Sequence, residues 1–144
     1  FFAAMHFWWP KMFGRMYDFK KAYVAAGMIF VGFIFHYMPM FILGMMGMPR
    51  RYYDYLPVFQ PLNTVATVGA YIMVSGILLM FINLLLTFKQ KPEGDVDPWG
   101  GTTLEWSIPS PPPLHNFAET PKVMGYPYDF SGIVRKHRAG RSDQ

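Results

Sequence analysis

The sequence predicts an all-α membrane protein with two full transmembrane helices, the end of a third, and an extended Pro-rich C-terminal tail. Two apolar runs contain no Asp, Glu, Lys or Arg, and each is longer than the roughly 20 residues that a helix needs to cross a bilayer. Only 15% of the 144 residues are charged, against about 25% in ordinary soluble domains. The basic residues lie outside both runs, as in membrane proteins.

The composition also excludes several classes of protein. The chain has no Cys, so a disulfide-stapled fold, a thiolate zinc site and an iron–sulfur cluster are all excluded. The formal net charge of +4 does not indicate nucleic acid as a partner, because the basic residues form separate blocks between apolar runs instead of one continuous face.

The first two segments are short. Residues 1–10 are apolar and end at Trp8, Trp9 and Pro10, which is typical of a transmembrane helix reaching the membrane interface. Because this run starts without earlier helical turns, we expect the chain to be a piece of a longer protein. Residues 11–21 follow as a basic loop, predicted on the cytoplasmic or matrix side.

The two predicted transmembrane helices are residues 22–48 and residues 62–88. Two buried helices of a soluble core are the alternative, which the length of the runs disfavours. Lys and Arg flank the pair on both outer sides, so the positive-inside rule places both ends of the chain in the cytoplasm or matrix. The connecting loop, residues 49–61, is then outside, and its adjacent arginines depart from the rule.

Residues 89–144 change to Pro, Gly and short polar residues, without a helical or alternating apolar period. This pattern predicts an extended or polyproline-like tail on the cytoplasmic or matrix side. A disordered tail is the alternative on composition. Large aromatic side chains favour docking against a partner, since they gain free energy on burial: they are Trp99, Trp106, Phe117, Tyr126, Tyr128 and Phe130.

Arg50 and Arg51 stand at the outer end of the first full span. Guanidinium groups stay charged and bind carboxylates through two hydrogen bonds, so the pair suits an anionic group just below the membrane surface. Contact with lipid phosphate, or simple snorkelling to the interface, is the alternative. Asp54 is close enough in sequence to pair with Arg51.

Two features of the first span leave alternatives open. His36 is an ionisable group at membrane depth, and we predict a neutral imidazole bonded to a neighbouring helix in preference to a metal ligand, since no His, Asp or Glu is near it in sequence. Ile29, Phe33, Tyr37 and Met40 share one helical face. Such a face is either ordinary helix packing or the wall of a cofactor site.

Five stretches of the chain form a distinctive pattern: Gly-Met-Pro-Arg-Arg-Tyr at residues 47–52 with Asp54, Tyr55 and Asn63, His-Phe-Trp-Trp-Pro-Lys-Met-Phe-Gly-Arg-Met at 6–16, Asp-Pro-Trp-Gly at 97–100, Thr-Leu-Glu-Trp at 103–106, and Ser-Pro-Pro-Pro-Leu-His-Asn-Phe at 110–117. Together they resemble subunit I of haem-copper oxidases, the cytochrome c oxidase family. The similarity is colinear over about residues 1 to 117. It implies the end of the tenth helix, the last two helices and the tail of a twelve-helix bundle.

The resemblance implies haem a, haem a3 and the copper ion CuB in the assembled subunit. Their ligands in that family lie on helices that precede this chain, so no metal ligand or axial haem ligand maps onto it and no catalytic residue is assigned. The resemblance does imply that Arg50 and Arg51 hold the haem propionates. It also implies that the wall of haem a includes Ile29, Phe33, Tyr37, Met40, Ile77 and Met80.

The sequence departs from the family pattern at a few positions. Phe41 replaces a usual His, Leu56 and Pro57 replace Pro-Asp, and Leu62 replaces a frequent Trp. The function implied is that of a proton-pumping terminal oxidase reducing oxygen with electrons from cytochrome c. A quinol oxidase subunit I and a two-span structural or assembly subunit without cofactor contact are the alternatives.

The resemblance also implies the surroundings of the chain. Its partners would be the remainder of subunit I, oxidase subunits II and III, cytochrome c as electron donor, and the lipid membrane. We expect a multi-pass location in the bacterial cytoplasmic membrane or the mitochondrial inner membrane, and the basic C-terminal extension favours the bacterial one.

Overall fold

The computed structural model describes residues 1–92, 97–117, 120–121 and 126, and these residues confirm the all-α prediction. Helix α1 is Phe2–Phe13, α2 is Phe19–Met45 and α3 is Gln60–Leu86, with short 3-10 turns at Pro57–Phe59, Thr87–Lys89 and Leu104–Ser107. Helices α2 and α3 are long and apolar enough to cross a membrane. Their outward side chains, among them Phe30, Tyr71 and Leu85, are more than half exposed, as lipid-facing or partner-facing residues are.

The chain forms two compact units, and the first consists of residues 1–16 with the described residues from Phe88 onward. In this unit α1 continues through Pro10 to Phe13, three residues beyond the predicted segment. It ends at Gly14, whose left-handed backbone (φ 60°) lets its N–H donate to the Pro10 carbonyl. Lys11, expected in the basic loop, is therefore helical and only 6% exposed.

The described part of the tail packs on α1 of the same chain. Lys11 Nζ donates to the Ile108 carbonyl at 2.7 Å and lies 5.2 Å from the centre of the Trp106 ring. Trp99 Nε1 donates to the Phe7 carbonyl at 2.9 Å. Trp106 is 6% exposed, so its docking partner is this chain's own first helix. Tyr126 is exposed, while Tyr128 and Phe130 lie outside the described residues.

The second unit is Tyr17–Thr87, which contains α2 and α3. Helix α2 begins at Phe19, three residues before the predicted span, because the Asp18 carboxylate caps it and accepts the backbone N–H groups of Lys20 and Lys21 at 2.8 and 3.3 Å. Both lysines therefore lie in the first helical turn. Helix α3 begins at Gln60, two residues before its predicted span, directly after the 3-10 turn.

Glycines set how closely α2 and α3 approach each other. A Cβ added to Gly32 would lie 2.7 Å from Met73 Cα, and one added to Gly69 would lie 2.8 Å from the Phe35 carbonyl oxygen. At Gly76 the added Cβ would lie 2.9 Å from the Ile29 nitrogen. Small residues permit such backbone contact between membrane helices, where van der Waals packing drives association.

A buried side-chain amide on α3 connects this helix to the residue just before α2. Asn83 of α3 is 2% exposed. Its Nδ2 donates to the Asp18 carbonyl at 2.9 Å, and its Oδ1 accepts the Asp18 N–H at 3.3 Å. Since both polar ends of the amide are satisfied, burial of Asn83 fixes the start of α2 against α3 instead of destabilising the pair.

Candidate functional site

An open groove of about 1100 Å³ lies at the end of α2 and along the loop that follows it. Five of the eight predicted site residues line this groove: Phe33, Tyr37, Met40, Arg50 and Arg51. Helix α2 supplies the first three on one face, at spacings of four and three residues. The groove thus joins an apolar wall to a cationic rim.

The wall presents large rings that no described residue covers. Phe33 and Tyr37 contact each other with ring centroids 4.6 Å apart. Phe33 is 53% exposed, Tyr37 48% and Met40 40%. Burial of large aromatic side chains contributes strongly to the free energy of binding and folding. This wall therefore fits an apolar ligand or an apolar neighbour.

The other three predicted residues do not line the groove. Ile29 lies farther down α2, with its backbone beside Gly76, and is half-buried, as is Ile77. Met80 is 1% exposed. These side chains therefore belong to or border the α2–α3 packing, and Met80 in this arrangement can only support the wall from behind.

Arg50 and Arg51 are exposed, and neither has an ion pair or hydrogen bond within the part of the chain that the structure describes. The pairing of Asp54 with Arg51 that the sequence allowed is not formed. Instead Asp54 Oδ1 accepts the Tyr55 N–H at 2.8 Å. Two guanidinium groups at the mouth of an apolar groove are left available for an anion.

The loop backbone at the arginines is unusual. Arg51 has a left-handed backbone with φ of 57°, a conformation that costs a residue with a Cβ on the order of 1 kcal/mol. Gly47 also has positive φ, at 85°, where the absence of a Cβ removes that cost. Strained residues persist only where the surroundings hold them, and they concentrate at ligand sites.

Three side chains hold this loop through contacts that the sequence does not predict. Asn63 Nδ2 donates to the Phe59 carbonyl at 3.0 Å and to Met48 Sδ at 3.6 Å. Tyr55 donates its hydroxyl hydrogen to Gln60 Oε1 at 2.7 Å. The sequence identifies Asn63 only as part of the family pattern. The contact between Tyr55 and Gln60 has no sequence signature, because five residues separate them across a loop.

Two of the described histidines, His6 and His36, form hydrogen bonds to backbone carbonyls. His36 Nδ1 donates to the Ala66 carbonyl of α3 at 2.8 Å, which confirms the predicted bond to a neighbouring helix. His6 Nδ1 lies 2.8 Å from the Phe2 carbonyl one turn earlier. Across residues 1–92, 97–117, 120–121 and 126 no group of three His, Cys, Asp or Glu side chains is placed to hold a metal.

The first half of the chain matches a known protein family. Residues 1–72 match the family described as "Cytochrome C and Quinol oxidase polypeptide I", a stretch that contains the whole groove.

The chain is also similar to three named bacterial proteins. It is 40% identical over 126 residues to cytochrome c oxidase subunit 1 of Bacillus sp. (strain PS3), which covers 85% of this chain and 20% of that protein. It is 38% identical over 143 residues to cytochrome c oxidase subunit 1 of Thermostichus vulcanus, covering 99% and 26%. A probable cytochrome c oxidase subunit 1-alpha of Streptomyces coelicolor is 42% identical over 126 residues, covering 85% and 22%.

The chain thus spans about a fifth to a quarter of the length of these relatives. Its two long apolar helices, the arginine loop and the docked segment around Trp106 all lie inside the aligned region of the Thermostichus protein, which takes in nearly the whole chain. The chain is therefore a membrane protein belonging to the cytochrome c and quinol oxidase polypeptide I family, the haem-copper oxidase subunit I family.

Proposed function

We propose that this chain acts within the catalytic subunit of a proton-pumping terminal oxidase that reduces oxygen to water with electrons from cytochrome c. One observation carries the specific role of these residues: two arginines without an ionic partner in the described chain stand at the mouth of an exposed aromatic groove. A flat apolar ligand with carboxylates at one edge matches both parts of this surface.

Haem fits the groove by the chemistry of its lining. The macrocycle is apolar and can pack on the exposed Phe33 and Tyr37 rings, and its propionates are carboxylates, which guanidinium groups bind with two parallel hydrogen bonds. When bound, haem a and haem a3, together with CuB, supply electron transfer and oxygen binding. No axial or copper ligand is assigned to this chain, so those ligands belong to the remainder of the subunit.

The role of this chain is then electrostatic and steric. Arg50 and Arg51 neutralise propionates that would otherwise be buried anions, a situation that costs several kcal/mol when the cation is missing. Phe33, Tyr37 and Met40 would exclude water from haem a, and Ile29, Ile77 and Met80 would support this wall from the α2–α3 packing. A positive charge near a redox centre favours its reduced form, so the pair also raises its potential.

A larger side chain at Gly44 tests whether the groove holds a cofactor, and it changes no charge. Gly44 lines the groove, and nothing lies within 4 Å of a Cβ added there. Gly44→Phe should therefore leave α2 folded but occupy space in the groove, so the haem a content of the purified complex should fall and its absorption band should shift. The measurement is the reduced-minus-oxidised spectrum with quantified haem extraction.

Gly27→Phe is the matched control, because Gly27 lies in the same helix, also has open space at its Cβ, and does not line the groove. Equal haem content in both variants would contradict a cofactor in this groove. A complex without haem A at all would favour the two-span structural alternative.

The choice of electron donor rests on the relatives. The family description names both cytochrome c and quinol oxidases, but the relatives named above are cytochrome c oxidases. We therefore propose cytochrome c as the donor and oxidase subunits II and III as partners, in the bacterial cytoplasmic membrane. Oxygen consumption by the purified complex with reduced cytochrome c, compared with a quinol, tests this choice.

We also propose that the segments before α2 and after α3 face the cytoplasm and that the loop of residues 46–59 faces outside, because Lys and Arg cluster at the former. The chain has no Cys, so single cysteines at Val58 and Lys91, both exposed, are unique labels in it. An impermeant maleimide applied to right-side-out vesicles should label Val58→Cys and spare Lys91→Cys. Labelling of both from the same side would contradict this topology.

A further inference from the structure

The segment that carries the two arginines is held at both of its ends. Before it, Met48 Sδ accepts a hydrogen bond from the buried Asn63 of α3. After it, the Tyr55 hydroxyl donates to Gln60 Oε1 at the first residue of α3. Residues 49–54 lie between these two points. Helix α2 also holds the first of them, since the Met48 N–H donates to the Leu43 carbonyl at 3.0 Å, whereas the second is held by α3.

The hydrogen bond between Tyr55 and Gln60 is linked to the arginine segment by a contact between two aromatic rings. Tyr52 and Tyr55 meet edge to face with ring centroids 5.5 Å apart. Tyr52 lines the groove and follows Arg51 directly in the chain. Gln60 thus holds Tyr55, and Tyr55 contacts the ring of the residue that follows Arg51 in the chain.

The backbone of Arg51 needs such support. Its left-handed conformation is unfavourable for a residue with a Cβ, so an unsupported loop would relax toward ordinary dihedral angles and carry the guanidinium with it. The Tyr55–Gln60 hydrogen bond and the Tyr52–Tyr55 ring contact connect the residues just after Arg51 to the start of α3.

We propose that Tyr55 and Gln60 are positioning residues that hold Arg51 in place for its anionic ligand. The inference rests on the proposed propionate role of the arginines and assigns its structural support. The chemistry requires a donor and an acceptor: the phenolic O–H donates and the amide oxygen accepts. Both residues are needed for this hydrogen bond, because removal of either the hydroxyl group or the amide oxygen abolishes it.

The test uses the complete oxidase complex with Tyr55→Phe, Gln60→Met and the double variant. Tyr55→Phe keeps the ring contact and removes only the hydroxyl, and Gln60→Met keeps the length of the side chain and removes the acceptor. Each should lower the reduced-to-oxidised ratio of haem a at a fixed applied potential by up to about fivefold, the equivalent of one ordinary hydrogen bond. The double variant should equal the single ones, because all three lack the same bond.

A second readout does not depend on haem. Backbone amides of residues 50–55 should exchange hydrogen for deuterium faster in both variants, since the segment loses one of its two supports. Tyr53→Phe is the control: Tyr53 is fully exposed and is the neighbouring tyrosine of the same loop, so it should change neither readout.

The outcomes separate the two proposals. If Arg51→Met shifts the haem ratio and Tyr55→Phe changes neither the ratio nor the exchange, the positioning role is wrong and the propionate role stands. If Tyr55→Phe has its full effect on the ratio in an Arg51→Met background, it does not act through Arg51 and the positioning role is also wrong. If Arg51→Met leaves the ratio unchanged, the propionate role itself fails.

Discussion

Replacement of Arg50 or Arg51 by Met in the complete oxidase is expected to lower the midpoint potential of a haem by about 60 mV or more, which is tenfold in a one-electron equilibrium. This expectation follows from the proposed propionate role: the substitution would remove a cation beside a propionate in a site of low dielectric constant, where the unpaired anion disfavours the additional electron. Turnover and proton release should decline with it. Redox titration followed at the haem absorption bands measures the shift.

Lysine substitutions at the same positions separate charge from geometry. Arg50→Lys and Arg51→Lys keep the positive charge but replace a planar fork by a single ammonium, so they should lower the potential by less than the Met variants and leave assembly intact. Equal shifts for Lys and Met would mean that the hydrogen-bond geometry, and not the charge, sets the potential.

Lys20→Met is the control for a general effect of net charge. Lys20 is exposed in the first turn of α2, and the arginine loop follows the last turn, about 37 Å away along the helix at 1.5 Å per residue. This separation exceeds several screening lengths at physiological salt, so the potential should not change. Unchanged potentials and unchanged proton release in both Arg→Met variants would reduce the pair to a lipid contact.

Replacement of Gly69 by Leu is expected to prevent stable packing of α2 on α3. Two effects oppose each other here. Leu has a better helix propensity than Gly by about 1 kcal/mol, but its Cβ would lie 2.8 Å from the Phe35 carbonyl oxygen, and the rest of the side chain needs more room still. The larger side chain would push the two backbones apart, and such overpacking typically destabilises a structure by about 1–3 kcal/mol or more. This loss exceeds the gain in helix propensity, so we expect net destabilisation.

The same substitution should break the His36 bond to the Ala66 carbonyl, because that bond depends on close approach of the helices. The measurements are the yield of assembled complex and its thermal transition in detergent. Gly27→Leu is the control, since nothing lies within 4 Å of its Cβ and only the propensity gain remains. A thermal transition for Gly69→Leu as high as that of Gly27→Leu would contradict the close contact.

The local features of the fold were predictable from composition and pattern. Two charge-free runs dictate two long helices, since a backbone in lipid must satisfy its own hydrogen bonds. The start of α2 differs from the prediction by three residues because a cap sets it: the Asp18 carboxylate accepts the first N–H groups of α2, so two lysines are helical. Helix α3 has no side-chain cap and starts two residues early because it continues directly from the 3-10 turn. Lys11 is helical because α1 ends only at Gly14, whose left-handed backbone lets its N–H donate to the Pro10 carbonyl.

The candidate site was predictable in part. The sequence by itself determined that Arg50 and Arg51 are adjacent and that Phe33, Tyr37 and Met40 share one helical face, because adjacency and helical periodicity follow from chain order alone. Only the tertiary structure decided that Met80 is buried, that Asp54 leaves Arg51 unpaired, and that Tyr55 bonds Gln60. Those outcomes depend on how α2, α3 and the loop meet in space, and contacts of that kind are set by packing and hydrogen-bond geometry instead of by any periodicity along the chain.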